Sequence, residues 1–123
     1  MEYTSTVLVV DDSEIVVKVL SFMIKKAGYT ILSASDGRNA LEFFDGRDID
    51  LVITDLNMPE MDGTQLISEI RSKEYYRHMP IVLFIAGKVE NQEKILKTSG
   101  ATMLFDKNNI KDEIIPAIKK MIG

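Results

Sequence analysis

Four side chains in this sequence have the types and the placement to do chemistry together: Asp11, Asp12, Asp55 and Lys107. Val7-Leu8-Val9-Val10 runs directly into Asp11-Asp12, and Leu51-Val52-Ile53-Thr54 runs into Asp55. A third apolar run, residues 101–105, ends at Asp106-Lys107. Each reads as a short buried strand that delivers a polar side chain at its C-terminal tip. Pro59, four residues beyond Asp55, stops the second run from continuing as regular structure. If the first two strands are neighbours, three carboxylates meet at one end of a sheet, and close anions require a cation or a proton among them. An all-oxygen ligand set without cysteine or histidine suits a hard divalent cation, Mg²⁺ before Ca²⁺. Lys107 supplies a counter-charge for a phosphate group at the same edge. An aspartate beside Mg²⁺ and a lysine is a competent nucleophile toward a phosphoryl group and gives an aspartyl phosphate. One aspartate at a strand end would be ordinary loop polarity; the trio with Lys107 asks for more.

Positioning these groups falls to an alternation of strands and helices. Residues 6–10 form the first strand, a continuous apolar run of the kind covered on both faces. Ile15, Val16, Val19, Leu20, Met23 and Ile24 then recur at helical spacing, with Asp12 or Ser13 as the cap and Gly28 at the end. This helix is rich in β-branched residues, so packing rather than propensity must hold it. Residues 29–34 form the second strand, and Asp36-Gly37 opens a second helix with Ala40, Leu41 and Phe44 inward. After the loop at 46–50 comes the strand that ends on Asp55. Met61-Asp62-Gly63 then turns into a third helix carrying Leu66, Ile67 and Ile70. A polar loop at 72–79 precedes the fourth strand, 81–85. A weaker helical pattern covers 88–99, the fifth strand 101–105, and the last helix carries Ile110, Ile114, Ile115, Ile118 and Met121. Pro116 inside that last helix removes one backbone bond and predicts a kink or interruption.

Five strand–helix repeats predict an α/β fold, a doubly wound five-stranded parallel sheet with helices on both faces, flavodoxin-like. In the strand order 2-1-3-4-5 the first and third strands are adjacent at the switch point, where ligands bind outside the carboxyl ends. That rule alone brings Asp11, Asp12 and Asp55 together.

Composition narrows the function classes. The 123 residues, with 46% hydrophobic content, fit one domain with an ordinary core, spanning 1–123. No cysteine is present, which removes disulfides, thiolate chemistry and the usual structural zinc sites, and a single histidine removes a multi-histidine metal centre. A net charge of −4 argues against direct nucleic-acid binding. The longest stretch without a formal charge, 78–87, is about ten residues and too short to span a membrane. The N-terminus has no basic region followed by an apolar core, so a cytoplasmic location without membrane insertion is expected.

With those residues in view, the chain resembles a response-regulator receiver domain, similar to the stand-alone chemotaxis-type regulators. The resemblance rests on Asp11-Asp12 after the first strand, on Asp55 with Met58-Pro59 and Asp62-Gly63, and on Lys107 after Gly100-Ala101. It implies two-component signal transduction: Asp55 accepts a phosphoryl group from the phosphohistidine of a sensor histidine kinase or phosphotransfer protein. It further implies that Asp12, Asp55 and the backbone carbonyl of Asn57 bind Mg²⁺, that Asp11 holds a metal-bound water, and that Lys107 contacts the phosphoryl oxygens. The Asn57 side chain stands where the family tunes the lifetime of the aspartyl phosphate. The output would be protein–protein contact with a downstream target, and Lys88, Lys94, Lys97 and Lys111 lie on the usual output face, where an ordinary solvated surface is the plainer reading.

Three positions depart from the family pattern. Ile85 stands where a Thr or Ser hydroxyl bonds the phosphoryl group, leaving the N–H of Ala86 as a substitute donor. Leu104 stands where an aromatic commonly swings, and Asn108 replaces the usual proline, which predicts a trans bond after Lys107. All three fall on the switching machinery. They motivate a second reading, a pseudo-receiver that signals without phosphorylation. A third, a Mg²⁺-dependent aspartyl-phosphate phosphatase or phosphotransferase, would need a cap and an added acid–base group that the short loops lack. A receiver would not be a dedicated enzyme. His78 sits among charged loop residues without a nucleophile motif, and Tyr75 and Tyr76 read as loop packing.

Overall fold

The computed structural model describes residues 4–86 and 92–123. Strands β1 (Thr6–Val10), β2 (Thr30–Ala34), β3 (Leu51–Asp55), β4 (Ile81–Ile85) and β5 (Met103–Asp106) form one sheet in the order β2-β1-β3-β4-β5. Every neighbouring pair is parallel, with Val7 opposite Leu51, Val52 opposite Ile81 and Val82 opposite Met103. Between them run α1 (Glu14–Lys26), α2 (Gly37–Leu41), α3 (Gly63–Ser72), α4 (Gln92–Ser99) and α5 (Ile110–Ile122). Residues 88–91 of the predicted fourth helix, and with them Lys88, lie outside the described residues.

Period-two alternation divides the core into two halves. Val7 and Val9 of β1, Leu51 and Ile53 of β3, and Val82 and Phe84 of β4 pack with Leu20 and Ile24 of α1 and Ile110, Ile114 and Ile118 of α5. The intervening Leu8, Val10, Val52, Ile81 and Leu83 pack on the other face with Ala40 of α2 and Leu66, Ile67 and Ile70 of α3. Both faces of the central strands are therefore apolar, and this is why β1, β3 and β4 appear in the sequence as unbroken hydrophobic runs.

The helix ends follow local rules. Ser13 caps α1 by accepting the Val16 N–H, and Gly28, at φ +104°, turns the chain out of it. Asp62 and Gln65 form a reciprocal capping box at the start of α3. Other elements differ from the sequence expectation. The α2 helix covers only Gly37–Leu41, because Glu42, Phe43 and Phe44 donate to carbonyls three residues back and tighten the chain; Phe44 is buried nonetheless. The 72–79 loop contains a 3₁₀ turn, Glu74–Tyr76, in which Tyr76 is buried with its hydroxyl bonded to the Arg47 carbonyl and the Gly46 N–H. Strand β5 starts at Met103 rather than 101, since Thr102 meets the β4 end through its Oγ1, which accepts the Ile81 N–H. Pro116 lies within an uninterrupted α5. No helix among the described residues is long and apolar enough to cross a membrane.

Candidate functional site

The C-terminal tips of β1 and β3, adjacent at the sheet's switch point, bring Asp11, Asp12 and Asp55 together. Asp11 follows β1 directly, and its N–H donates to the Ala34 carbonyl, holding the start of the β1–α1 loop against β2. Its Oδ1 accepts the Ser13 N–H at 2.9 Å, so the carboxyl is fixed by the same turn that starts α1. Asp55 ends β3; its Oδ1 accepts the Asn57 N–H at 3.4 Å, and the Thr54 hydroxyl donates to its carbonyl. Asp11 and Asp55 are buried, at 1% and 5% exposure, while Asp12 and the Asn57 side chain face solvent.

Lys107 reaches the same point from the sheet edge. Its N–H donates to the Ile85 carbonyl at 2.7 Å, extending the β4–β5 pairing by one bond beyond the strand. From that anchor its ammonium lies 3.2 Å from Asp55 Oδ2 and 3.2 Å from Asp11 Oδ2. The contact with Asp55 has hydrogen-bond geometry; the contact with Asp11 is ionic only, so Asp11 Oδ2 is buried with its accepting capacity unspent. Nζ also stands 5.5 Å from the centroid of the Phe84 ring, whose face favours a cation.

One carboxylate oxygen from each of Asp11, Asp12 and Asp55 lies within 4.8 Å of the others. Burial, and after it the charge of Asp55, pushes the Asp11 carboxyl above its ordinary value, against the pull of the Ser13 N–H and Lys107. Burial works against the Lys107 ammonium too, yet the two carboxylates hold it above its ordinary value. With all three aspartates ionised, a single lysine leaves the cluster with excess negative charge. An all-oxygen donor set, an unsatisfied buried oxygen and that excess fit a hard divalent cation such as Mg²⁺.

The sequence-predicted residues thus sort into two groups. Asp11, Asp12, Asp55 and Lys107 come together, with Asn57 two residues past the β3 tip. Ile85 is fully buried at the end of β4, and Ala86 is exposed beside it. Leu104 pairs in register with Leu83 and packs, partly buried, against the α2–α3 side of the core. The bond after Lys107 is trans. Lys94, Lys97 and Lys111 are exposed. His78 is exposed near the start of β4, at the opposite end of the sheet.

Two contributors were missed. Phe84 enters the sequence reading only within the fourth strand, 81–85, and nothing in that strand marks it as the surface under Lys107. Gly63 was read as a turn, but a Cβ at this position would stand 2.5 Å from the Asp55 carbonyl and 2.8 Å from Leu83 Cδ1. Only glycine lets α3 start this close to the acceptor strand, and the signal available was its place in Asp62-Gly63, shortly after Pro59.

Comparisons with known proteins point to one family. The family model described as response regulator receiver domain matches residues 7–119. The polar-differentiation response regulator DivK of Brucella ovis is 25% identical over 98% of both chains. Among solved structures, the chemotaxis protein CheY4 of Vibrio cholerae superposes with a TM-score of 0.89 at 28% identity, covering 98% of this chain and all (100%) of that one. The response regulator TrrA of Thermotoga maritima, solved in complex with Mg²⁺ and BeF, gives a TM-score of 0.83 at 30% identity over 97% of this chain and 100% of that one.

Proposed function

This chain belongs to the response regulator receiver domain family of two-component systems, and from that premise we propose that Asp55 accepts a phosphoryl group from the phosphohistidine of a partner kinase or phosphotransfer protein. The observation that carries the reading is the meeting of three carboxylates within 4.8 Å with an ammonium 3.2 Å from two of them.

In the transfer, an Asp55 carboxylate oxygen forms a bond to phosphorus while the phosphorus–nitrogen bond of the donor breaks and its electron pair returns to the imidazole. Asp11, Asp12, Asp55 and the carbonyl of Asn57 would hold Mg²⁺. When bound, the metal offsets the charge of the carboxylates and of the incoming phosphoryl oxygens. Lys107, already poised on Asp55 Oδ2, exchanges that contact for a phosphoryl oxygen, which conserves its ion pairing through the reaction. Burial of Asp55 limits the approach of water, and the exposed Asn57 side chain borders the path by which water hydrolyses the acyl phosphate. The chain acts as a phosphoacceptor that passes its state on by protein contact rather than as a dedicated enzyme.

The test is incubation with acetyl phosphate and Mg²⁺ followed by intact mass measurement. The expected result is one phosphoryl adduct, stable to acid and labile to base, in the parent and none in Asp55→Asn. A parent that binds Mg²⁺ but forms no adduct overturns the reading and favours a pseudo-receiver. One observation keeps that second reading in play: the fully buried Ile85 carries no hydroxyl to answer a phosphoryl group. Rapid multiple turnover of a small phosphorylated substrate would instead point to an enzyme.

A further inference from the structure

The outer edge of the sheet, on the far side of β1 from Asp55, offers a second surface. Strand β2 is terminal among the described residues, with β1 on one side and no strand on the other. The Thr30 N–H donates to Ser5 and the Ala34 carbonyl accepts from Asp11, both across the β1 side. Strand alternation therefore points the N–H and C=O groups of Ile31 and Ser33 outward, where no ladder receives them. Edge strands usually carry a charge, a proline or a bulge that blocks pairing; Thr30–Ala34, Thr-Ile-Leu-Ser-Ala, has neither charge nor proline.

Beside this edge runs an open groove of about 600 Å³, walled by β2 and by Ser21, Phe22 and Lys25 of α1. Phe22 is 68% exposed on its lip. Ser21 Oγ is shielded from solvent and has no hydrogen-bond partner among the described residues. Lys18 and Lys25, seven residues and so about 10 Å apart along the helix, both border the groove and are exposed. Neither forms an ion pair with a carboxylate among the described residues. The groove thus combines an unpaired backbone ladder, an apolar lip and two unneutralised cations.

We propose that this groove docks an extended acidic peptide segment of a partner protein, which pairs its backbone with Ile31 and Ser33 and sets alternate carboxylates against Lys18 and Lys25. Backbone pairing supplies affinity, and the lysines supply selection for acidic sequence. A second copy of this edge would bring its own lysines into the same groove, which disfavours self-pairing. The groove also has a polarity. It continues past Val17 and Lys18 toward Asp12 and Glu14, so the acidic run of the segment spans Lys18 to Lys25 and stops short of Asp12.

The experiment titrates the ¹⁵N-labelled full chain with a capped peptide alternating Glu and Val. Two controls accompany it: the same peptide with Lys for Glu, and the acidic peptide N-methylated at alternate residues. The expected result is saturable shifts of the Ile31 and Ser33 amides with the acidic peptide. Affinity should drop at least about tenfold on N-methylation and in Lys18→Glu/Lys25→Glu, which should still unfold cooperatively with a slightly lowered melting temperature, since Lys25 lies in the last turn of α1. Shifts absent from Ile31 and Ser33, equal binding of the Lys peptide, or a sedimenting dimer that buries the edge and excludes the peptide would each overturn the proposal.

Discussion

Replacing Gly63 with alanine puts the geometry of the acceptor strand to a direct test. An added Cβ would lie 2.5 Å from the Asp55 carbonyl oxygen, 2.8 Å from Leu83 Cδ1 and 3.0 Å from Leu56 Cα. Ordinary contact begins near 3.4 Å, so α3 and the β3 tip must separate by about 0.9 Å. Two of the three obstructing atoms are backbone, and the Gly63 N–H is itself bonded to the Leu56 carbonyl at 2.7 Å, so neither side yields cheaply. Overpacking of this kind costs about 1–3 kcal/mol, and the intrinsic gain of alanine over glycine in a helix, under about 1 kcal/mol, does not cancel it at a first-turn position. Urea titration should show a net loss of about 1–2 kcal/mol with an unchanged m-value, and a melting temperature lower by roughly 4–10 °C. The same displacement moves the Asp55 carboxyl relative to Asp11 and Asp12, so Mg²⁺ affinity should fall as well. Gly37→Ala is the control. The three atoms nearest its Cβ would all belong to Met61, at 2.7 Å for Sδ, 2.9 Å for Cγ and 3.0 Å for Cβ; the first two can turn away and the third must give by a few tenths of an ångström, so the loss should be smaller than that of Gly63→Ala. Equal stabilities for Gly63→Ala and the parent would refute the close approach of α3 to β3.

The remaining predictions concern the charges and the switch. Mg²⁺ at a hundred times its dissociation constant should stabilise the fold by about 2.7 kcal/mol, read as a rise in melting temperature that vanishes in Asp55→Asn. Because the folded-state pKa of Asp11 is raised, the native protein without metal gains from protonation below the ordinary carboxylate range and loses that gain as pH rises through the raised value. Protons therefore compete with Mg²⁺ from above the usual carboxylate range, and calorimetry should show affinity falling as pH drops through it; a pH-independent affinity would contradict this. Lys107→Met leaves the carboxylates without their cation and should cost about 1–3 kcal/mol without metal, discounted for the lysine's 27% exposure. That deficit should shrink when Mg²⁺ is added, and a constant deficit would mean that the ammonium does not balance the cluster. Ile85→Thr should cost about 1–3 kcal/mol from lost apolar burial and a newly buried hydroxyl. It should also raise the ratio of switched to unswitched amide signals in the phosphorylated protein by roughly tenfold to a hundredfold, the worth of one hydrogen bond to a charged group; an unchanged ratio would exonerate Ile85.

What could be read from the sequence divides along a physical line. Strands buried on both faces have no choice but to be apolar runs, so β1, β3 and β4 appear in the sequence with their observed bounds. The carboxylates at the tips of β1 and β3 follow from the same rule, since the tip is where burial ends. Features that depend on a distant partner were not legible. Phe44 looked like the inward residue of a longer α2, yet the helix stops at Leu41 because the next bonds tighten. Tyr76 looked like loop filler, and its burial depends on the Gly46 N–H and the Arg47 carbonyl, about thirty positions away. Pro116 predicted a kink or interruption, and α5 runs through it without interruption, because the surrounding Ile114, Ala117 and Ile118 are packed into the core and hold the helix through one missing bond. The crowding at Gly63 is of the same kind, since it is a property of the Asp55 carbonyl rather than of the glycine.

The departures at Ile85 and Leu104 take on a sharper meaning beside the geometry of Lys107. A hydroxyl at the end of β4 would tie a phosphoryl group to that strand directly, and Ile85 offers only its backbone. That backbone is not idle, because its carbonyl accepts the Lys107 N–H while the Lys107 ammonium bridges Asp55 and Asp11. Lys107 is therefore a two-ended connector, with its main chain fixed to β4 and its charge fixed to the acceptor. Under the proposed transfer, a phosphoryl group on Asp55 would add negative charge where the ammonium already sits and would strengthen the charged end of the connector without requiring a side-chain donor at position 85. The Phe84 ring, 5.5 Å from Nζ, limits where the ammonium can move. In the proposed phosphorylated state, Lys107 would thus be the side-chain link from Asp55 to the β4–β5 edge, beside the backbone pairing of β3 with β4.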